Sequence, residues 1–170
     1  MTPVAHASRF GVVPPEPAVD RSLDSIAPKF REKVERLILH MHERGYDATI
    51  AESIRSNERQ QWLWGFGREY DDGRGIVTNS HDGRWSWHFF GLAVDIVSSS
   101  NGWDAPSMFW ALLGLCAERE GLAWGGGWPT FPDRPHVQFG APMRRSPSPH
   151  ALELYQQGGR EAVWREVGAL

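Results

Sequence analysis

Cysteine and long apolar runs are the two features that this 170-residue sequence most clearly lacks. A single cysteine, Cys116, excludes an intramolecular disulfide framework and a cysteine-rich zinc finger. No stretch approaches the roughly 20 apolar residues that a membrane-spanning helix needs, so no membrane insertion is expected. The first 20 residues also lack the continuous apolar segment of a secretion signal. We therefore expect a single-domain protein that is made in the cytoplasm without a signal peptide.

Excess basic charge is absent as well, since 18 lysines and arginines face 21 acidic residues and the formal net charge is −3. A protein that mainly binds nucleic-acid phosphates needs a basic surface, so no nucleic-acid partner is expected. Tryptophan, by contrast, is abundant, with nine residues against three tyrosines. Its large flat ring suits both protein cores and surfaces that bind sugars or peptides, and core packing is the default interpretation for most of the nine.

Apolar periodicity predicts three helices and three short strands. The helices are expected from Asp24 to Gly45, over residues 57–68 and from Pro106 to Gly121. The strands are expected within residues 47–54, 93–97 and 136–139. This alternating order predicts an α+β fold, in which helices cover one side of a small sheet.

The ends of the chain differ in composition from its middle. Four prolines in residues 1–20 predict a flexible N-terminal arm, and the proline-rich stretch after residue 142 predicts a linker and a short helix over residues 143–170. Residues 21–142 are left as the main domain. Within it, the three glycines between Trp124 and Trp128 predict a flexible turn.

The first candidate site residues surround the middle strand. Asp95 lies in an otherwise apolar run, where burying a carboxylate is costly unless a cation or hydrogen bonds compensate it. Period-two alternation puts Asp95 on one face with the small Ala93 and with Val97. His88 precedes this strand by a few residues. A divalent cation would provide the compensation, and a solvated strand face is the alternative explanation.

A second cluster lies around the last strand. Pro135 favours an extended Arg134, so Asp133 and His136 are presented from a stiff segment. Together the two clusters supply two imidazoles, from His88 and His136, and two carboxylates, from Asp95 and Asp133. A catalytic zinc typically takes three protein ligands and keeps one open position, and a remaining carboxylate can act as a base.

Taken in order, these motifs resemble the LAS-type zinc peptidases of family M15, and among them the L-alanyl-D-glutamate endopeptidases found in phage endolysins. The resemblance covers about residues 22–140 and implies a zinc peptidase domain at residues 21–142. It also implies a small antiparallel sheet with covering helices, as in Hedgehog and D,D-peptidases. The matching motifs are Gly45-Tyr46, Arg55-Ser56 with Gln60, and the stretches 75–79, 86–95, 124–128 and 133–136.

The resemblance also implies roles for single residues. His88, Asp95 and His136 would ligate one Zn²⁺ per chain, and Asp133 would be the catalytic base. Arg55 would be a second catalytic residue that polarises the scissile carbonyl or holds a substrate carboxylate.

The remaining implied roles concern the substrate. Four residues are expected to bind it, namely Ser86, Gln60, Trp124 and Trp128. For Arg55, a surface ion pair with Glu52 or Glu58 is the alternative to a catalytic role.

The family resemblance implies a zinc-dependent metallopeptidase that hydrolyses peptidoglycan stem peptides. We expect the L-Ala–D-Glu bond to be cleaved, as in endolysin-type cell-wall lysis. One alternative is D-Ala-D-Ala carboxypeptidase activity, and another is a non-catalytic, zinc-stabilised wall-binding module, against which the spare carboxylate of Asp133 argues. The chain would act on the cell wall after release from the cytoplasm by lysis, a holin or a secretion machine.

Overall fold

A computed structural model describes residues 10–140 and 144–170 of the chain. Its elements, in chain order, are α1 (Pro28–Glu43), β1 (Ala48–Glu52), α2 (Asn57–Gly65), β2 (Ala93–Ser98), α3 (Ser107–Arg119), β3 (Leu122–Trp124), β4 (His136–Phe139) and α4 (Pro149–Glu166). Short 3₁₀ turns lie at Gly83–Trp85 and Gly125–Gly127. Within the described ranges, no helix is both long and apolar enough to span a membrane.

The four strands form one antiparallel sheet in the order β1-β2-β4-β3. Val94 pairs with Val137, and Asp95 pairs with His136. Because side chains alternate along a strand, the Val94–Val137 pair and the Asp95–His136 pair lie on opposite faces of the sheet. The face of Val137 also carries Phe139, whose ring meets that of Phe30 in α1 edge to face. Helices therefore cover one face, and the opposite face presents Asp95 and His136.

The α+β fold with an antiparallel sheet and covering helices is confirmed. The apolar stripe of α1 consists of the fully buried residues Phe30, Val34, Leu37 and Met41. Burying each such side chain contributes about 1.5–3 kcal/mol. The helix ends before Gly45, whose φ of +81° is readily adopted only by glycine.

The segment around the glycine-rich turn differs from the prediction. A three-residue strand, β3, precedes it, and the turn itself is a 3₁₀ helix. A Cβ on Gly126 would lie 2.1 Å from the Trp124 ring, and one on Gly125 would lie 2.6 Å from the Asp133 carbonyl oxygen. These glycines therefore permit close packing against Trp124 and the Asp133 segment rather than flexibility.

The described parts of both flanks contact the main domain. Trp62 Nε1 donates to the Pro14 carbonyl at 2.9 Å. At the other end, Ala151 and Val163 of α4 are buried in the main core. This helix has a kink at residues 158–159, where the backbone of both glycines is not helical. Residues 1–9 of the predicted arm and the predicted boundary at residues 142 and 143 lie outside the described residues, so the three-part division stays a prediction.

Candidate metal centre

Three ligand atoms converge on the open face of the sheet. The strand register places Asp95 directly opposite His136. His88 comes from the tight turn before β2, which closes with a hydrogen bond from Gly91 N to His88 O. His88 Nε2 lies 3.2 Å from His136 Nδ1 and 3.4 Å from Asp95 Oδ1. His136 Nδ1 and Asp95 Oδ1 are 3.5 Å apart.

The spacing of these atoms matches a tetrahedral zinc site. Zinc binds imidazole nitrogen and carboxylate oxygen at about 2.0–2.2 Å, so two ligands of a regular tetrahedron are about 3.3 Å apart. The three separations, 3.2, 3.4 and 3.5 Å, cluster around that value. All three residues are buried, so bulk water does not compensate their polar atoms.

Hydrogen bonds on the side away from Asp95 determine which ring nitrogen of each histidine is unprotonated. A backbone carbonyl can only accept, so Ser53 O, at 2.8 Å, requires a proton on His88 Nδ1. Gln138 Nε2 donates to Arg144 O, which turns Gln138 Oε1 towards His136 Nε2 at 3.1 Å. His136 Nε2 therefore carries the proton. When both histidines are neutral, His88 Nε2 and His136 Nδ1 present lone pairs beside the Asp95 carboxylate, an arrangement that suits a cation between the three atoms.

The charges around Asp95 favour its ionised form. Burial alone would raise the pKa of this carboxyl, but the two histidines and the Arg55 guanidinium hold it well below its ordinary value. Burial lowers the pKa of His136, and the Asp95 carboxylate more than reverses this effect. A carboxylate that stays ionised is available as a metal ligand at neutral pH.

Arg55 forms the outer support of Asp95. Its Nη2 donates to Asp95 Oδ2 at 2.8 Å, which leaves Oδ1 for the metal position. Its Nε and Nη2 donate to Glu52 Oε2 at 2.8 and 2.6 Å, and Nη1 donates to Gln60 Oε1 at 3.1 Å. The ion pair with Glu52 is thus present, but it is buried rather than on the surface. Glu52 also accepts from Arg59 Nε at 3.2 Å.

Asp133 lies beside the three ligands but outside them. Its Oδ2 is 4.0 Å from His136 Nδ1, and its side chain retains 37% of its exposure. The Asp133 N–H donates to Gly125 O at 2.9 Å, which ties this residue to the glycine-rich turn. Burial and the neighbouring Asp95 carboxylate raise the pKa of Asp133. A raised pKa brings a carboxylate closer to the range in which a general base is effective at neutral pH.

The metal centre opens into a cleft of about 1190 Å³. Ser86 and Trp128 line it, as do the three ligands, Arg55 and Asp133. Gln60 and Trp124 do not line it: Gln60 is fully buried and donates to Thr78 and Ser80, and Trp124 donates to the Arg134 carbonyl. The substrate-binding roles of Ser86, Gln60, Trp124 and Trp128 stay predictions.

Comparison with known proteins decides the family. The peptidoglycan L-alanyl-D-glutamate endopeptidase CwlK of Bacillus subtilis is 30% identical in an alignment 123 residues long, which covers 66% of this chain and 72% of CwlK. A family model described as D-alanyl-D-alanine carboxypeptidase matches residues 80–139. The chain belongs to the zinc peptidases of family M15. In this M15 peptidase, the matched segment contains all three candidate ligands and Asp133.

Two solved structures share the fold of the M15 peptidase. VanYB in complex with D-alanine-D-alanine has a TM-score of 0.50 and 17% identity, over 86% of this chain and 87% of VanYB. The D,D-pentapeptidase VanY of a VanB-type resistance cassette, in complex with Zn(II), has a TM-score of 0.51 and 18% identity, over 88% of this chain and 93% of VanY. At these identities the likeness concerns the fold.

Proposed function

We propose that this M15 peptidase hydrolyses peptidoglycan stem peptides at the L-Ala–D-Glu bond, with one Zn²⁺ held by His88, Asp95 and His136. The observation that carries the proposal is the trio of ligand atoms at zinc spacing with a fourth, partly exposed carboxylate beside it. A closed structural site takes a fourth protein ligand, whereas a catalytic site keeps one position open for water or substrate. The arrangement therefore favours an enzyme over a wall-binding module.

When bound, zinc supplies a Lewis acid for the scissile carbonyl and lowers the pKa of water to about 7. Asp133 accepts a proton from the attacking water at its carboxylate and can pass it to the leaving amine. Arg55 keeps Asp95 ionised and correctly oriented through the contact at Oδ2. Arg55 also lines the cleft, so its positive charge would favour an oxyanion that develops at the scissile carbonyl.

The choice of bond rests on the likeness to CwlK, whose name specifies L-alanyl-D-glutamate endopeptidase activity. The alternative, removal of terminal D-Ala, is supported by the description of the family model. Either substrate would place the site of action at the cell wall.

Mass spectrometry of purified peptidoglycan after digestion distinguishes these activities. We expect products with a new N-terminal D-Glu, formed only when zinc is present. Shortened stem peptides that have lost a terminal D-Ala would support the carboxypeptidase alternative. A zinc-loaded chain that binds peptidoglycan and releases no product would support the wall-binding module.

A further inference from the structure

Arg145 makes an unusual set of contacts for a residue outside the segment that the family model matches. Its guanidinium carbon lies 4.2 Å from the centroid of the Trp128 ring. Its Nη1 donates to the Thr130 carbonyl at 2.6 Å, and its Nη2 donates to the Phe131 carbonyl at 3.0 Å. One side chain therefore contacts three residues of the loop that joins the glycine-rich turn to β4.

This loop carries Asp133 and has little regular structure to hold it. Prolines occupy positions 129, 132 and 135 and have no N–H to donate. Phe131 has a φ of +53°, in the left-handed region that residues other than glycine rarely adopt. At the base of the loop, Trp128 N and Asp133 N both donate to Gly125 O. At its tip, the carbonyls of the strained turn are held by Arg145.

We infer that Arg145 is a positioning residue, which braces residues 128–133 and so fixes the Asp133 carboxylate at its working position. The inference rests on the proposed function, in which Asp133 is the base. The planar guanidinium can stack on Trp128 while two of its nitrogens donate to two adjacent carbonyls. A lysine ammonium is not planar, so it cannot stack on the ring in this way, and it does not present two donors in a fixed parallel arrangement. Arg145 also lines the cleft into which the candidate metal centre opens.

The test compares Arg145→Ala and Arg145→Lys with the unaltered chain in zinc content, kcat, KM and hydrogen–deuterium exchange of residues 126–136. For Arg145→Ala we expect zinc to be retained, kcat to fall about 10–100-fold and KM to change by less than about threefold. Exchange of the 126–136 segment should become faster. The kcat of Arg145→Lys should stay within about threefold of that of Arg145→Ala, because a positive charge alone does not restore the two hydrogen bonds to adjacent carbonyls.

Arg119→Ala is the matched control. Arg119 is exposed at the end of α3, on the helix-covered side of the sheet, and it makes no ion pair or side-chain hydrogen bond within residues 10–140 and 144–170. Its removal changes the net charge equally and should leave kcat and exchange unchanged.

Three results would overturn the inference: unchanged kcat in Arg145→Ala, a raised KM with kcat retained, or full recovery in Arg145→Lys. These results are distinguishable from a failure of the proposed function. If the unaltered chain cleaves no stem peptide, the proposed function fails and the role of Arg145 fails with it. If the unaltered chain is active and Arg145→Ala is equally active with unchanged exchange, only the role of Arg145 fails.

Discussion

Removing the Glu52 carboxylate should destabilise the protein far more than removing a surface carboxylate. Glu52 is 5% exposed and accepts from Arg55 at 2.6 and 2.8 Å and from Arg59 at 3.2 Å. Glu52→Ala leaves both guanidinium groups buried, with Asp95 as the remaining carboxylate for Arg55 and Glu16 for Arg59. Breaking a buried pair from one side costs about 3–5 kcal/mol. For a chain of this size, that loss lowers Tm by about 6–20 °C.

The control for this prediction is Glu35→Ala. Glu35 pairs with Arg31 on the surface of α1, where the carboxylate side chain is 49% exposed, so its loss should cost about 0–1 kcal/mol. The assay is urea unfolding of both variants at pH 7 in the same excess of zinc, with the free energy of unfolding obtained by linear extrapolation. Our reading of the buried network fails if Glu52→Ala loses no more stability than Glu35→Ala.

Three further predictions concern the metal and the pH dependence of stability. His88→Ala should lose most of the bound zinc and His40→Ala should keep it, as measured by metal analysis; equal losses would show that the ligands are misassigned. Gln138→Leu removes the oxygen that accepts from His136 Nε2 and orients its ring, so zinc affinity should fall about 10–100-fold. The affinity is measured by competition with a chelator, and an unchanged value would show that Gln138 does not orient His136. Hydrogen bonds from three consecutive serines hold the pKa of Asp47 below its ordinary value. The unaltered chain should therefore have a larger free energy of unfolding than Asp47→Asn at pH 6, and this difference should shrink as the pH falls below about 4. A difference that does not change with pH would contradict the role of these hydrogen bonds.

The helices and the main strands were predictable from local patterns, whereas the grouping of His88, Asp95 and His136 was implied by the family resemblance. Phe30, Val34, Leu37 and Met41 recur at helical spacing, and their burial in α1 follows from that period alone. For Asp95, the apolar run around it left a cation or a solvated strand face as explanations, and its burial beside both histidines favours the cation. In contrast, β3 is only three residues long, which is too short to show an alternating pattern.

The supporting contacts were not predictable, because they join distant parts of the chain. Glu52 stands three residues before Arg55, a spacing that is equally typical of an exposed pair, and only the tertiary fold shows that both are buried. Arg145 lies in a stretch whose prolines predict a linker, and its partners precede it by 14 to 17 residues. Gln138 acts through the backbone of Arg144, and a backbone acceptor leaves no sign in the sequence.

The most direct test of the catalytic centre is the rate of peptidoglycan hydrolysis by zinc-loaded Asp133→Asn. The amide preserves the shape of the side chain but cannot accept a proton. Because Asp133 lies outside the ligand trio, the variant should retain zinc, whereas Asp95→Asn should weaken zinc binding itself. We predict that turnover by Asp133→Asn falls about 10²–10⁴-fold at full zinc occupancy. Near-native turnover, or a variant that has lost its zinc, would contradict the role of Asp133 as the base beside the metal.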